Sequence, residues 1–141
     1  MAARRTLVSD PERRQLMRRV RQRGTPAELA VAKLCRELGL AYRCNVRSLP
    51  GSPDLANKKG RWAIFVHGCF WHQHEGCPKA TMPKRNAKFW REKFVGNRAR
   101  DARKIAQLCS LGYQVLVVWQ CQAEDRQALR RRLQSWANRV A

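Results

Sequence analysis

A chain of 141 residues, 44% of them apolar, holds enough material for one buried core, which excludes a disordered basic tail. Its formal charge of +20, from 30 Lys and Arg against 10 Asp and Glu, excludes an ordinary near-neutral surface and points to a polyanion, nucleic acid first. No apolar run nears the roughly 18–20 residues of a membrane span, and "MAARRTLVSDPERR" has no apolar signal-peptide core, so a cytoplasmic or nucleoid-associated protein without membrane contact is expected.

The elements follow in chain order. Residues 1–24 are read as a basic arm. Within it "RRQLMRRVRQR" carries six arginines in eleven positions without compensating acids, the pattern of a segment that orders on a phosphate backbone. Residues 25–141 are read as a single domain. In "TPAELAVAKLCRELGL", Thr25 caps, Pro26 suits the first helical position and Glu28 completes a capping box. Leu29, Ala32, Cys35 (or Leu34) and Leu38 are expected to form the apolar face, and Gly39 to stop the helix. "AYRCNVR" (41–47) and "PDLAN" (53–57) read as short strands around a turn, and "RWAIFVHG" (61–68) as a central buried strand.

Residues 69–85 lack a period and contain Gly76, Pro78 and Pro83, hence a loop. Asn86 is expected to open one helix and Asn97 a second one, closed by Gly112. "YQVLVVWQC" (113–121) reads as a buried strand and "AEDRQALRRRLQSWANRV" as a final amphipathic helix. The order α-β-β-β-α-α-β-α predicts an α/β fold, a mixed sheet with helices on both faces.

All three histidines and two of the six cysteines fall in "FVHGCFWHQHEGC", residues 65–77. Six irregularly spaced cysteines in a reducing compartment suit metal ligation or packing better than disulfides. Cys69, His74, Cys77 and Cys121 supply the four thiolate and imidazole ligands of a closed zinc site, which would hold a long loop that has little core of its own. The alternative is that Cys77 and Cys121 are buried thiols. Cys35, Cys44 and Cys109 are assigned to core packing. His67 and His72 remain, with Asp54 in "LPGSPDLA" after a Pro turn. Most other acids sit on predicted helices and read as caps and ion pairs. An acid near nucleic acid in so basic a chain argues for an intervening cation, and Asp54 suits magnesium at the mouth of two strands.

The motifs "LPGSPDLA", "WAIFVHGCFWHQHEGC", "NAKFWREKF" and "VLVVWQC" together resemble the very-short-patch repair (Vsr) DNA mismatch endonucleases, from about Pro11 to the final helix. The resemblance implies a restriction-endonuclease-like fold over residues 25–141. It implies magnesium-dependent hydrolysis that nicks one strand of double-stranded DNA at T:G mismatches left by 5-methylcytosine deamination, with a structural zinc. By motif, Asp54 and the Val66 main-chain carbonyl match the magnesium ligands. His67 and His72 match the active-site histidines, and Glu28 matches a helical acid near the metal. Cys69, His74, Cys77 and Cys121 match the zinc ligands. Phe70, Trp71 and Trp90 match rings wedged into the duplex beside the mismatch, where opening is cheaper. Adjacent on a loop, Phe70 and Trp71 are not expected to share one core.

Arg18, Arg19 and Lys88 are expected on phosphates. A monomer is expected, with mismatch-repair proteins and a DNA polymerase as partners. No Lys stands where restriction-type "D/E-x-K" nucleases have one; in "FVH" the histidine takes its place. Two rivals remain at this stage: a non-catalytic zinc-stabilised basic nucleic-acid-binding protein, and a homing or restriction nuclease on the same fold.

Overall fold

The computed structural model describes residues 24–140, so Arg18, Arg19 and the rest of the basic arm before Gly24 lie outside the described residues. The elements are α1 (Pro26–Glu37), β1 (Arg43–Cys44), β2 (Leu55–Asn57), β3 (Trp62–His67), α2 (Ala87–Ser110), β4 (Gln114–Trp119), α3 (Gln120–Ala123) and α4 (Arg126–Val140). The four strands form one mixed sheet in the order β1-β2-β3-β4. The first two pairings are antiparallel, and β4 joins parallel to β3 with His67 opposite Trp119.

Strand alternation divides the core in two. Leu55, Trp62, Ile64, Leu116 and Val118 face one side, where α1, α3 and α4 cover them with Val31, Leu34, Leu129 and Leu133. Ala56, Ala63 and Phe65 face the other, under Leu108 and Ile105 of α2. Helices therefore cover both faces, and β3 is buried on both, which explains its unbroken apolar run.

Several expectations change at element scale. Thr25 does cap α1, with Glu28 completing the capping box. The buried face is nevertheless Ala30, Val31, Leu34 and Cys35, while Leu29 is 61% exposed. The small Ala30 and Val31 let α1 seat closely on its neighbours, a fit that a stripe centred on Leu29 would not give. β1 shrinks to two residues because Asn45 turns the chain with φ +50°.

The two helices expected from Asn86 and Asn97 are one helix of 24 residues, opened at Asn86. Gly96 does not break it, and Asn97 is not a cap. Asn97 is buried within the helix and donates its side-chain amide to the Trp71 carbonyl at 3.0 Å. β4 ends at Trp119, so Cys121 sits in the single turn α3, just past the strand. Cys35 is buried as expected, but Cys44 and Cys109 are exposed, on an edge strand and on the outer side of α2, and are not core.

Candidate functional site

The C-terminal end of β3 and the loop after it converge with α1, α2 and α3 on a cleft of about 1100 Å³, bordered by Glu28, Val66, His67, His72, Arg100 and Asp101. His67, the last residue of β3, is 6% exposed. His72 lies parallel to it, ring centroids 3.9 Å apart and planes within 4°. The Nδ1 of His72 meets Asp101 Oδ2 from α2 at 2.5 Å. The three could be read as metal ligands, since their ligand atoms lie close together. Parallel stacked imidazoles direct their in-plane lone pairs side by side, however, not at one point, and the Asp101 contact fixes His72 in the manner of an acid–base dyad. Burial and the neighbouring His72 push His67 down to about 4, so it is a neutral imidazole at ordinary pH.

Asp54 sits just before β2, and its Oδ2 accepts the Val66 N–H at 2.6 Å. Burial, and then the Glu28 carboxyl beside it, drive Asp54 up to about 7 against the lowering effect of that hydrogen bond. Glu28 serves two ends. Its Oε2 accepts the Thr25 hydroxyl at 3.0 Å in the capping box, and the same carboxyl crowds Asp54. Two half-buried carboxyls packed together are a hard-oxygen donor set that a divalent cation would relieve of its repulsion. The chemistry of this carboxyl pair fits a divalent cation such as magnesium.

Behind the histidine pair lies the second cluster. The ligand atoms of Cys69, His74, Cys77 and Cys121 lie within 4.8 Å of one another. His74 Nδ1 is 3.7 Å from Cys69 Sγ and 3.4 Å from Cys121 Sγ. Tetrahedral zinc with ordinary Zn–S and Zn–N bonds would separate sulfur from nitrogen by about 3.6 Å, so these residues fit zinc. The loop reaches this arrangement through successive turns, His74 N–H to Cys69 O and Cys77 N–H to His74 O, with Gly76 at φ +75°. Without a cation, burial drives the Cys69 thiol up to about 12, while backbone N–H donors hold Cys77 low.

Phe70 and Trp71 do share one cluster, contrary to expectation. Phe70 lies 5.8 Å from Trp90 and 5.2 Å from Phe94, and Trp71 lies 6.0 Å from Trp90. Their own planes stand at 81°, which lets neighbouring residues of a turn point into the same group of rings. Trp90 is buried at 3% exposure, Phe70 and Trp71 are half-buried, and Lys88, two residues before Trp90 on α2, is exposed. The side-chain bond from Asn97 to the Trp71 carbonyl ties this ring cluster to α2.

The sequence pattern that defines the DNA mismatch endonuclease Vsr family matches residues 7–79. The chain is 44% identical to the type II nicking enzyme V.XorIIP of Xanthomonas oryzae pv. oryzae, over 91% of this chain and 93% of that protein. It is 42% identical to the DNA mismatch endonuclease Vsr of Escherichia coli, over 85% of this chain and 80% of that protein.

The chain belongs to the Vsr family.

Membership makes it a DNA endonuclease and sets aside both the non-catalytic DNA-coating reading and the homing or restriction nuclease. In this Vsr-family chain Glu28, Val66, His67 and His72 border one cleft, Asp54 does not line it but sits against Val66 and Glu28, and Cys69, His74, Cys77 and Cys121 lie together. Sequence reasoning missed Asp101, which was absorbed among the helical ion-pair acids, and Trp119, which was read only as part of a strand. Asp101 had a signal. It continues the stripe Trp90, Phe94, Asn97, at spacings of four, three and four, on the inward face of α2.

Proposed function

We propose that this chain nicks one strand of double-stranded DNA at T:G mismatches in very short patch repair, on a restriction-endonuclease-like fold, with magnesium at Asp54 and the Val66 carbonyl and a structural zinc at Cys69, His74, Cys77 and Cys121. The observation that carries the reading is a cleft, beside a ring cluster, that brings Glu28, crowded by Asp54, together with a histidine held by its own carboxylate, His72 and Asp101. Magnesium, when bound, supplies positive charge next to the scissile phosphate, which stabilises the developing oxyanion.

The chain's own groups do the rest. With Nδ1 engaged by Asp101, His72 has Nε2 left to take the proton of the attacking water, and Asp101 stabilises the resulting imidazolium. His67, neutral and stacked on His72, keeps that ring in orientation and offers a hydrogen bond without adding a second charge. Glu28 orients water at the cleft mouth while capping α1. Lys93 and Arg100 of α2 line the same cleft and hold backbone phosphates, as does Lys88 outside it. Phe70 and Trp71, with Trp90 behind them, insert at the weakened step, where a mismatch makes unstacking cheaper by a few kcal/mol at most. The enzyme works as a monomer near the nucleoid, handing its nick to a DNA polymerase alongside mismatch-repair proteins.

The decisive experiment compares a T:G duplex with its matched counterpart, with and without magnesium, for wild type and Asp54→Ala. The expected result is a single-strand nick on the T:G duplex alone, only with magnesium, and no nick by the variant although it still binds DNA. Undiminished cleavage by Asp54→Ala would refute its role, and equal nicking of both duplexes would refute mismatch selection.

A further inference from the structure

All three histidines of the chain meet one indole. His74 of the zinc-type cluster stacks on Trp119 at 4.2 Å with planes 9° apart. His67 meets the same ring edge-on at 5.2 Å and 76°, and His72 at 6.4 Å and 73°. The sheet register explains why. Trp119 ends β4 opposite His67, the end of β3, so the indole stands between the histidine pair and the loop that returns with His74.

The backbone at this point is pinned as well. The Trp119 N–H donates to Gln122 Oε1 at 3.0 Å, and Arg132 of α4 donates to that same oxygen at 2.6 Å and to the Val117 carbonyl at 2.9 Å. The turn so held carries Cys121, whose N–H points at Cys69 Sγ at 3.4 Å, and Gln120, whose Oε1 accepts the Cys69 N–H at 3.4 Å.

We infer that Trp119 is a positioning residue that transmits the geometry of the Cys69, His74, Cys77 and Cys121 cluster to the His67 and His72 pair. This rests on the zinc and hydrolysis reading above. An indole has only two side-chain torsions, and this one is stacked on a metal-ligand ring on its face and abutted by two catalytic rings at its edge. A shift of His74 therefore tilts the indole and displaces the pair, and loss of the indole loosens both sites together. The partners of ligand residues are worth about 10–100-fold in metal affinity or activity when removed, which sets the expected scale.

The test uses the full chain as Trp119→Leu and Trp119→Phe, with Leu133→Ala, which removes core volume but none of the contacts named above, as a stability comparator. Three quantities are read: zinc release to a competing chelator, kcat and KM for nicking a T:G duplex, and Tm. Trp119→Leu is expected to release zinc about 10-fold faster or more and to lower kcat by roughly 10–100-fold with KM unchanged. Trp119→Phe, which keeps a ring face, recovers most of both. Leu133→Ala lowers Tm and alters neither. If Trp119→Leu does not fold, Gln122→Ala, which frees the Trp119 backbone, is expected to give a smaller loss of zinc retention and kcat together.

Loss of zinc retention without loss of kcat, or the reverse, overturns the coupling, as does an equal effect of Leu133→Ala. A wild-type chain that holds no zinc, or undiminished nicking by His72→Ala, removes the underlying reading and the coupling with it. In a chain that passes both checks, a Trp119→Leu variant indistinguishable from wild type removes the coupling alone.

Discussion

Asp54 and His67 carry opposite pH dependences into one window. Asp54 is pushed up from 3.8 to about 7 by burial and by Glu28, so between those values the folded chain binds a proton that the unfolded chain has released, and stability falls as pH rises. His67 is pushed down from 6.5 to about 4, so in that window the unfolded chain binds the extra proton, and stability rises with pH. The two slopes offset each other in the wild type, and removing either group unmasks the other. Denaturant unfolding without added magnesium should show Asp54→Asn gaining stability from pH 5 to pH 7, relative to wild type, by on the order of 1 kcal/mol or more. His67→Gln should lose it over the same interval. Parallel pH profiles for all three proteins would mean that neither group titrates as its burial dictates. Cys121→Ser is a residue-scale change with a wider reach, since it removes the sulfur that α3 contributes to the Cys69, His74 and Cys77 cluster of the loop and, on the proposed reading, a zinc ligand. Zinc content should drop and Tm fall by about 5 °C or more, measured by metal analysis and thermal melts.

The elements decide which of these residues could be read in advance. β3 was legible because a strand buried on both faces has to be continuously apolar, and the clustering of Cys69, His74, Cys77 and Cys121 was legible because three of them crowd one loop. α2 was not legible as one helix. Gly96 and Asn97 together mimic a helix end followed by a cap, while the tertiary bond from Asn97 to the Trp71 carbonyl is invisible to local propensity. Splitting the helix there cut the stripe that runs from Trp90 through Phe94 and Asn97 to Asp101, and with it the only local clue that Asp101 faces the site. On α1 the expected Leu34, Cys35, Ala32 and Leu38 do pack on the core, and only the choice of Leu29 failed, for a similar reason. Leu29 and Val31 are equally apolar in sequence, and only the partner surface selects the smaller side. The single-helix geometry makes its own prediction. Asp101→Asn keeps the shape but removes the carboxylate that meets His72 Nδ1, so on the proposed reading kcat for nicking should fall roughly 100-fold or more while DNA affinity stays within about twofold. Nicking at the wild-type rate would show that the His72 contact is structural only.

At the scale of the whole molecule the question is how so much positive charge coexists with a discriminating site. Residues 1–23 hold eight arginines against two acids, so their removal lowers the formal charge from +20 to +14. What remains includes the cleft lining, the ring cluster and both candidate metal sites found among the described residues. Charge on phosphates sets affinity without reading the bases, whereas selection for a mismatch depends on local opening. Truncation should therefore separate the two. Each arginine engaged on a phosphate contributes about 0.9 to the slope of log K against log salt, so a chain beginning at Gly24 should bind more weakly at low salt and with a shallower slope. The ratio of its affinities for T:G and matched duplexes should stay close to that of the full chain. Titrations at several salt concentrations on both duplexes measure slope and ratio together. A truncated chain that kept the full slope but lost the ratio would reverse the assignment, making the arm the mismatch reader and leaving phosphate attraction to α2 and the cleft.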